Sequence, residues 1–210
     1  CVPKEEILDN INDNVELIKD WNFVQNCDVN NEHIIIASAG PSMDFEELKA
    51  VQKKYDAKIV CVKHSYPLLL EAGIQPWACV ILDPRPITGT STHGIVRTEL
   101  FKEIDPITKF FIASMTDPSV TKFIMDRTKN VYGWHAFSQA VADIVSGKVE
   151  IDYKLNIDKD NATFVSGGTC AAMRAIGMMH IFGFRNFHLF GFDCSIEGLT
   201  DEQKKEKLDD

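Results

Sequence analysis

The chain has 210 residues, 45% of them hydrophobic, with 22 basic and 31 acidic side chains for a net charge of −9. That is material for one packed domain of ordinary size, with or without a helical extension. The acidic balance argues against non-specific nucleic-acid binding and against docking on an anionic membrane, and no apolar run approaches the ~20 residues of a membrane span. Cys1, Cys27, Cys61, Cys79, Cys170 and Cys194 form no Cys-x-x-Cys pair. They read as reduced thiols of a cytoplasmic protein, not as a disulfide framework or a zinc site. A start at Cys1 and a charged end read as a piece of a longer protein, so catalytic residues outside it are allowed for.

In chain order, Ile7, Leu8, Ile11, Val15 and Ile18 lie at helical spacing and predict an N-terminal helix over 4–21. A polar stretch, 26–32, leads into His33-Ile34-Ile35-Ile36-Ala37-Ser38, whose unbroken apolar centre suits a parallel strand covered on both faces. A helix follows from Asp44, spaced to Glu47 as in a capping box. Strands are expected at 58–62 and 78–82, with a short helix at 65–72 closed by Gly73 between them. Beyond a Gly/Thr/Ser-rich loop, the pattern gives a helix near 95–101, a strand at 109–113, a helix near 118–127 and a strand at 130–134. A helix at 139–145 precedes an excursion over 147–161 with room for a short strand. The last unit is a helix at 169–182, closed by Gly183, and a strand at 186–192.

Strands alternating with helices predict a three-layer, Rossmann-like α/β domain with a mainly parallel sheet of about five to seven strands, plus the N-terminal helix. The expected division is a helical extension at 1–32, a nucleotide-binding domain at 33–195 and a charged tail at 196–210. Ligands of such sheets sit outside the carboxyl ends of the strands. That directs attention to Gly40-Pro41-Ser42, Lys63-His64, Asp83, Ser114, His135, Ser166 to Thr169, and Asp193.

Two glycine-bearing turns, Ala39-Gly40-Pro41-Ser42 and Ser166-Gly167-Gly168-Thr169, each stand between a strand and a helix. Free N–H groups and a positive helix end at such a turn suit an anion, most often a phosphate. Together they suggest a phosphorylated ligand lying across several strand ends. Neither is a dinucleotide fingerprint or a Walker loop. The first reads equally as a plain strand-to-helix turn, because Pro41 removes a donor and the Asp44 carboxylate competes for the helix end. The second has no acid in the first helical turn, so it is the cleaner anion site, against close helix packing as the other reading. Asp83 and Asp193 end apolar strands, where a carboxylate can hold Mg²⁺, accept from ribose or simply form a turn. His64 and His135 stand at strand ends, suited to acid–base work or to plain exposure. Lys63, Arg85 and Arg174 are the candidate phosphate partners.

These residues also carry a family resemblance. The segment from Ile34 to Asp44, the block from Leu69 to Pro76 leading to Asp83-Pro84, and Ser166-Gly167-Gly168 through Gly183 to Asp193 resemble the 6-hydroxymethylpterin diphosphokinase (MptE-like) family. They are similar to the Maf flagellin glycosyltransferases and, more distantly, to bacterial sialyltransferases that use CMP-sugars. The sialyltransferase pattern has asparagines where this chain has His64 and Asp83, and its catalytic histidine lies past the last block. The resemblance implies a nucleotide-dependent transferase, with ATP and Mg²⁺ for diphosphate transfer to a small hydroxymethyl acceptor. Asp83 would then be the metal ligand, with His64 and His135 beside it in catalytic roles. Gly40, Pro41, Ser42, Ser166, Gly167, Gly168, Thr169 and Asp193 would form the phosphate and nucleotide site. A nucleotide-sugar glycosyltransferase and a non-catalytic nucleotide-binding accessory domain are the alternatives. The partners expected are a small-molecule nucleotide, with no nucleic acid and no membrane; a homo-oligomer is compatible.

Overall fold

The computed structural model describes residues 2–89, 91, 94–148, 155–158, 162–168 and 170–193. Its elements are α1 (Lys4–Leu17), β1 (His33–Ala37), α2 (Phe45–Tyr55), β2 (Lys58–Val62), α3 (Ser65–Glu71), β3 (Ala78–Ile81), β4 (Lys109–Ala113) and α4 (Pro118–Met125). They continue with β5 (Val131–Ala136), α5 (Gln139–Val145), β6 (Phe164–Val165), α6 (Ala171–Ile181) and β7 (Asn186–Phe190). The strands form one seven-stranded sheet in the order β6-β5-β4-β3-β2-β1-β7. Every pairing is parallel.

That order explains the layers. From β1 to β6 the chain steps steadily one way, and right-handed crossovers place those helices on one face. The step from β6 to β7 runs back past all of them to the far side of β1, so α6 must cover the opposite face. The core divides accordingly. Ile35, Ala37, Ile59, Cys61 and Ile112 pack with Leu48 of α2, Leu69 of α3 and Ile124 of α4. Ile34, Ile36, Val60 and Phe111 pack with Ala175, Met178 and Met179 of α6. β1 is thus buried on both sides, which is why its sequence is an unbroken apolar run. The reversal of direction falls between β1 and β7, the topological switch point of this sheet.

Helix ends follow local chemistry. Asp44 caps α2, accepting from the backbone N–H groups of Glu46 and Glu47 at 2.9 Å each. Asp117 caps α4 ahead of Pro118, and Ser138 caps α5. Gly73, at φ +68°, closes α3 as expected.

The structure departs from the sequence reading in a few places. β6 has only two residues, paired with His135 and Ala136, and carries too little periodicity to announce itself. The helix expected near 95–101 is a single 3₁₀ turn, Thr98–Phe101. β5 runs on to Ala136, which puts His135 inside the strand. Of the 147–161 excursion, 155–158 are irregular; much of the rest, and Thr169, lie outside the described residues.

α1 is joined to the sheet by a buried amide. Asn14 is fully buried and donates to the carbonyls of Ser114, at 2.9 Å, and Thr116, at 2.5 Å. Its Oδ1 accepts from Thr121 of α4 at 2.6 Å. One turn earlier Asn10 makes longer bonds, 3.5 Å to the Pro84 carbonyl and 3.4 Å to that of Met115. The helix therefore satisfies backbone carbonyls that follow β3 and β4, where the sheet's own ladder has ended. Asn14→Ala should lower unfolding free energy by about 3 kcal/mol, since it removes three bonds and strands their partners. Asn10→Ala should cost under about 1 kcal/mol. Urea denaturation of both variants is the check, and equal losses would mean that α1 is held by its apolar face alone.

Candidate functional site

The carboxyl ends of β2 and β3 carry a compact charge cluster. Asp83 is 4% exposed, and its carboxylate accepts from Lys63 Nζ, from Arg85 Nε at 2.9 Å and Nη2 at 2.8 Å, and from the Arg85 backbone N–H at 3.1 Å. Burial pushes the Asp83 pKa up, but the Arg85 and Lys63 bonds outweigh it and hold it at about 2. Lys63 is itself buried, at 7% exposure, while Arg85 reaches towards solvent. His64, next in the chain, is exposed; its pKa is lowered by desolvation and by the Lys63 charge, opposed in part by Asp83, with smaller lowering by Arg85 and Arg97. One carboxylate therefore fixes two cations, with Arg97 also felt there, and the local balance is positive in a chain of net charge −9.

The first glycine turn stands at the switch point. Gly40 N–H donates to the Gly191 carbonyl at 2.9 Å. A Cβ on Gly40 would come within 2.6 Å of that oxygen and 2.5 Å of Asp193 Oδ2. Asp193 in turn accepts from the Ser42 N–H at 2.6 Å and from the Ser42 hydroxyl. A carboxylate of the chain itself thus takes the donors that the sequence reading assigned to a phosphate. Pro41 has no N–H to add.

The second turn is of mixed character. Gly167, at φ +136°, lies against the α6 backbone, where a Cβ would approach the Met173 carbonyl to 2.7 Å. Gly177 likewise admits the Ser166 carbonyl. Those glycines serve packing. Gly168, at φ +73°, faces open space, and α6 has no side-chain cap and no acid in its first turn. Arg174 is buried and spoken for: its guanidinium donates to the Val165 carbonyl and, at 2.9 Å, to that of Phe137, and its Nε has no partner. It braces the β5 and β6 ends against α6 and is not a free phosphate arm. β1 and β6 stand five places apart in the sheet. At ~4.8 Å per strand the two turns begin about 24 Å apart along the edge. A ligand touching both would have to pass the Lys63–Arg85 cluster.

His135 is 6% exposed, with Nδ1 3.1 Å from the Ser114 hydroxyl and its ring stacked on Trp21 at 4.6 Å and 9°. Burial lowers its pKa to about 4, so the imidazole is neutral at physiological pH. Sequence reasoning found Asp83, Lys63, Arg85 and His135, but not the partners Trp21, Asn14 and Asp193-on-Ser42, which are joined only by the fold.

For Mg²⁺, the fit is poor. Asp83 already serves two cations, a divalent ion would have to displace both, and no group of three His, Cys, Asp or Glu among the described residues could hold one. No described helix is long and apolar enough to cross a membrane.

A family model described as "6-hydroxymethylpterin diphosphokinase MptE-like" matches residues 5–198. The curated proteins give no match. Among solved structures, the chain is similar to the Maf glycosyltransferase from Magnetospirillum magneticum AMB-1, with 16% identity and a TM-score of 0.58. The match covers 94% of this chain and 29% of that one, so the fold is shared while the chain spans under a third of that enzyme's length.

The two shifted groups separate by pH. In the fold His135 stays neutral down to about 4, whereas unfolded it protonates near its ordinary 6.5. The unfolded state therefore binds more protons between those values, and stability falls as pH falls through that window, by about 3 kcal/mol in total. Asp83 contributes stability above its ordinary 3.8, lost as pH falls towards about 2. His64 and His188 are lowered too, so the comparison needed is wild type against His135→Gln. Urea midpoints at several pH values between 7.5 and 4.5 should decline less steeply in the variant. Parallel slopes would show that His135 is not what titrates.

Proposed function

Because this chain belongs to the MptE-like family, we propose that it is a nucleotide-dependent transferase whose phosphate-binding centre is the Lys63–Asp83–Arg85 cluster. The observation that carries this reading is the arrangement of that cluster: two cations fixed by one buried carboxylate at adjacent strand ends. A guanidinium held by its own carboxylate is ordered before the ligand arrives, so less entropy is lost on binding. The N-terminus of α6, which begins at Ala171 with no side-chain cap a few residues after Gly168, would supply the second anion contact.

In the diphosphokinase form of this reading, an acceptor hydroxyl oxygen attacks the β-phosphorus of ATP. The bond from that phosphorus to the α,β-bridging oxygen breaks, AMP leaves, and the hydroxyl proton passes to a base. Lys63 and Arg85 would neutralise charge on the transferred diphosphate, which is most of what such catalysis requires. His64, exposed beside Lys63 with its pKa lowered, is the base candidate nearest the cluster in sequence. No step here is routed through Mg²⁺.

The fold shared with a Maf glycosyltransferase favours a second reading, transfer of a sugar from a nucleotide sugar. The leaving group separates the two. Release of AMP from ATP supports diphosphate transfer, and release of a nucleoside mono- or diphosphate from a nucleotide sugar supports glycosyl transfer. Calorimetry should find that Arg85→Ala weakens ATP at least about tenfold, as for loss of a charge-assisted pair. Gly168→Asp should do the same by placing a carboxylate at the helix end, whereas Gly168→Asn, which tolerates the same backbone, should change affinity by under about threefold. Full affinity in both Arg85→Ala and Gly168→Asp would remove this site from consideration.

A further inference from the structure

Away from the charge cluster, two histidines join β1 to β7. Ile35 packs towards α2, and so does His33, two residues earlier on the same face of β1. Across the ladder Ile35 stands opposite His188, which brings the second imidazole to that face. The two rings meet directly, with His33 Nδ1 2.9 Å from His188 Nε2. Their centroids are 5.2 Å apart and their planes differ by 20°, which is what two imidazoles laid edge to edge in nearly one plane give. Tyr55, the last residue of α2, covers both rings, stacked on His33 at 4.3 Å and 11° and on His188 at 4.9 Å and 25°. Lys54 Nζ stands 4.8 Å from the centre of the Tyr55 ring.

That geometry suits a proton, not a metal ion. Two imidazole nitrogens bridged in line by one ion would stand about 4 Å apart, at ~2.0–2.1 Å for each bond. At 2.9 Å a single proton fills the gap, donated by one ring and accepted by the other. An added proton goes to the bare outer nitrogen of the donor ring, and the bond survives in charge-assisted form. The next has only the accepting nitrogen left, where it would set two N–H groups head to head between two cations. The surrounding charges are mixed. From α2 come Lys54 and Glu47, and Glu47 and Asp193 line the groove beside His188. Glu32, just before His33, is paired with Lys58 of β2. Desolvation, then His33 and Lys54, lower the His188 pKa, so the surroundings as a whole resist charge there.

We propose that the His33–His188 pair is an acid-sensitive latch between β1 and β7, closed while the pair holds no more than one added proton and opened by the second. The inference goes beyond the transferase reading and does not need it. β7 stands at the end of the strand order, and β1 is its one strand partner among the described residues. Opening the latch therefore loosens β7 ahead of the central strands, together with Gly191 and Asp193, which follow at its carboxyl end.

The test is amide hydrogen exchange on the full chain at pH 7.5 and pH 5.0, with each rate corrected for intrinsic exchange. Protection of the β7 amides should fall at least about tenfold relative to those of β4, the equivalent of one unit of pKa. The ratio to β4 removes any general loss of stability from His135 or His64. His33→Phe keeps a ring beneath Tyr55 but has no nitrogen to share a proton, and its ratio should change by under about threefold. Circular dichroism checks that it is folded; His188→Gln, expected to behave alike, carries the test if it is not. Nitrogen NMR of the imidazoles should show the wild-type pair gaining its protons in two steps more than about one unit apart. An equal fall in β7 and β4, a fall that persists in the folded variants, or two rings that titrate together at one midpoint would overturn the latch.

Discussion

The carboxyl edge of this sheet depends on how closely β7 can return to β1. The last crossover passes five strands and must then dock beside the first, in register from His33 with Asn186 to Ala37 with Phe190. Past the register the two backbones continue to touch: Ser38 N–H reaches the Phe190 carbonyl and Gly40 N–H the Gly191 carbonyl, both at 2.9 Å. Neither position has room for a Cβ. On Gly191, at φ +68°, one would approach the Ser38 carbonyl to 2.8 Å, and on Gly40 it would meet Gly191 itself. A pair of glycines thus permits the closure that brings Asp193 onto Ser42. The closure of the sheet and the shape of the first glycine turn are set by the same contact.

Two carboxylates at that edge act differently because their surroundings differ. Asp83 sits among cations that are held to it, and its own charge is more than balanced. Its effect is positional: it fixes Arg85 by two side-chain bonds and Lys63 by one, a geometry that leaves the cluster positive. Asp193 is bonded to neutral donors, an N–H and a hydroxyl. The N-terminal end of α2 follows close behind Ser42, and that end is already served by Asp44. Two acids at one helix end compete for the same few donors, so the first turn is the less favourable place for a phosphate. The positive cluster and the uncapped end of α6 are the more favourable places.

Most of the fold was legible because local pattern and burial agree. β1, β2 and β4 are apolar after a polar first residue (His33, Lys58 and Lys109), as strands covered on both faces must be, and Asp44, Gly73 and Gly183 mark helix ends by chemistry that acts within a few residues. β6 was not legible, since two residues give no period and, among the described residues, β5 is its one strand partner. The candidate site divides the same way. Strand-end logic pointed to Asp83, whose main partner Arg85 is close by in sequence, and to His135, whose stacking partner Trp21 is far off. Asn14 lies 100 residues from the Ser114 carbonyl that it satisfies, and Ser42 lies 151 from Asp193. An Asn in an amphipathic helix that also carries Asn10 and Asn12 is indistinguishable from an ordinary surface residue until the helix is docked. Gly167 shows the reverse case, a glycine whose position the close backbone of α6 is enough to account for.

The Ser42–Asp193 contact also constrains how any ligand could use both turns. A phosphate at the first turn must take the Ser42 donors from Asp193, and the freed carboxylate would then stand beside an anion at close range. The contact is exposed, so solvent screens that repulsion, but it still disfavours the pairing. The chain can avoid it only by moving Asp193, which follows directly on Gly191 and Phe192 at the end of β7. Occupation of the first turn is therefore tied mechanically to the position of the chain leaving β7, whereas occupation of the Lys63–Arg85 cluster is not. On electrostatic grounds an anion is therefore favoured at the cluster over the first turn, where it would have to take the Ser42 donors from Asp193.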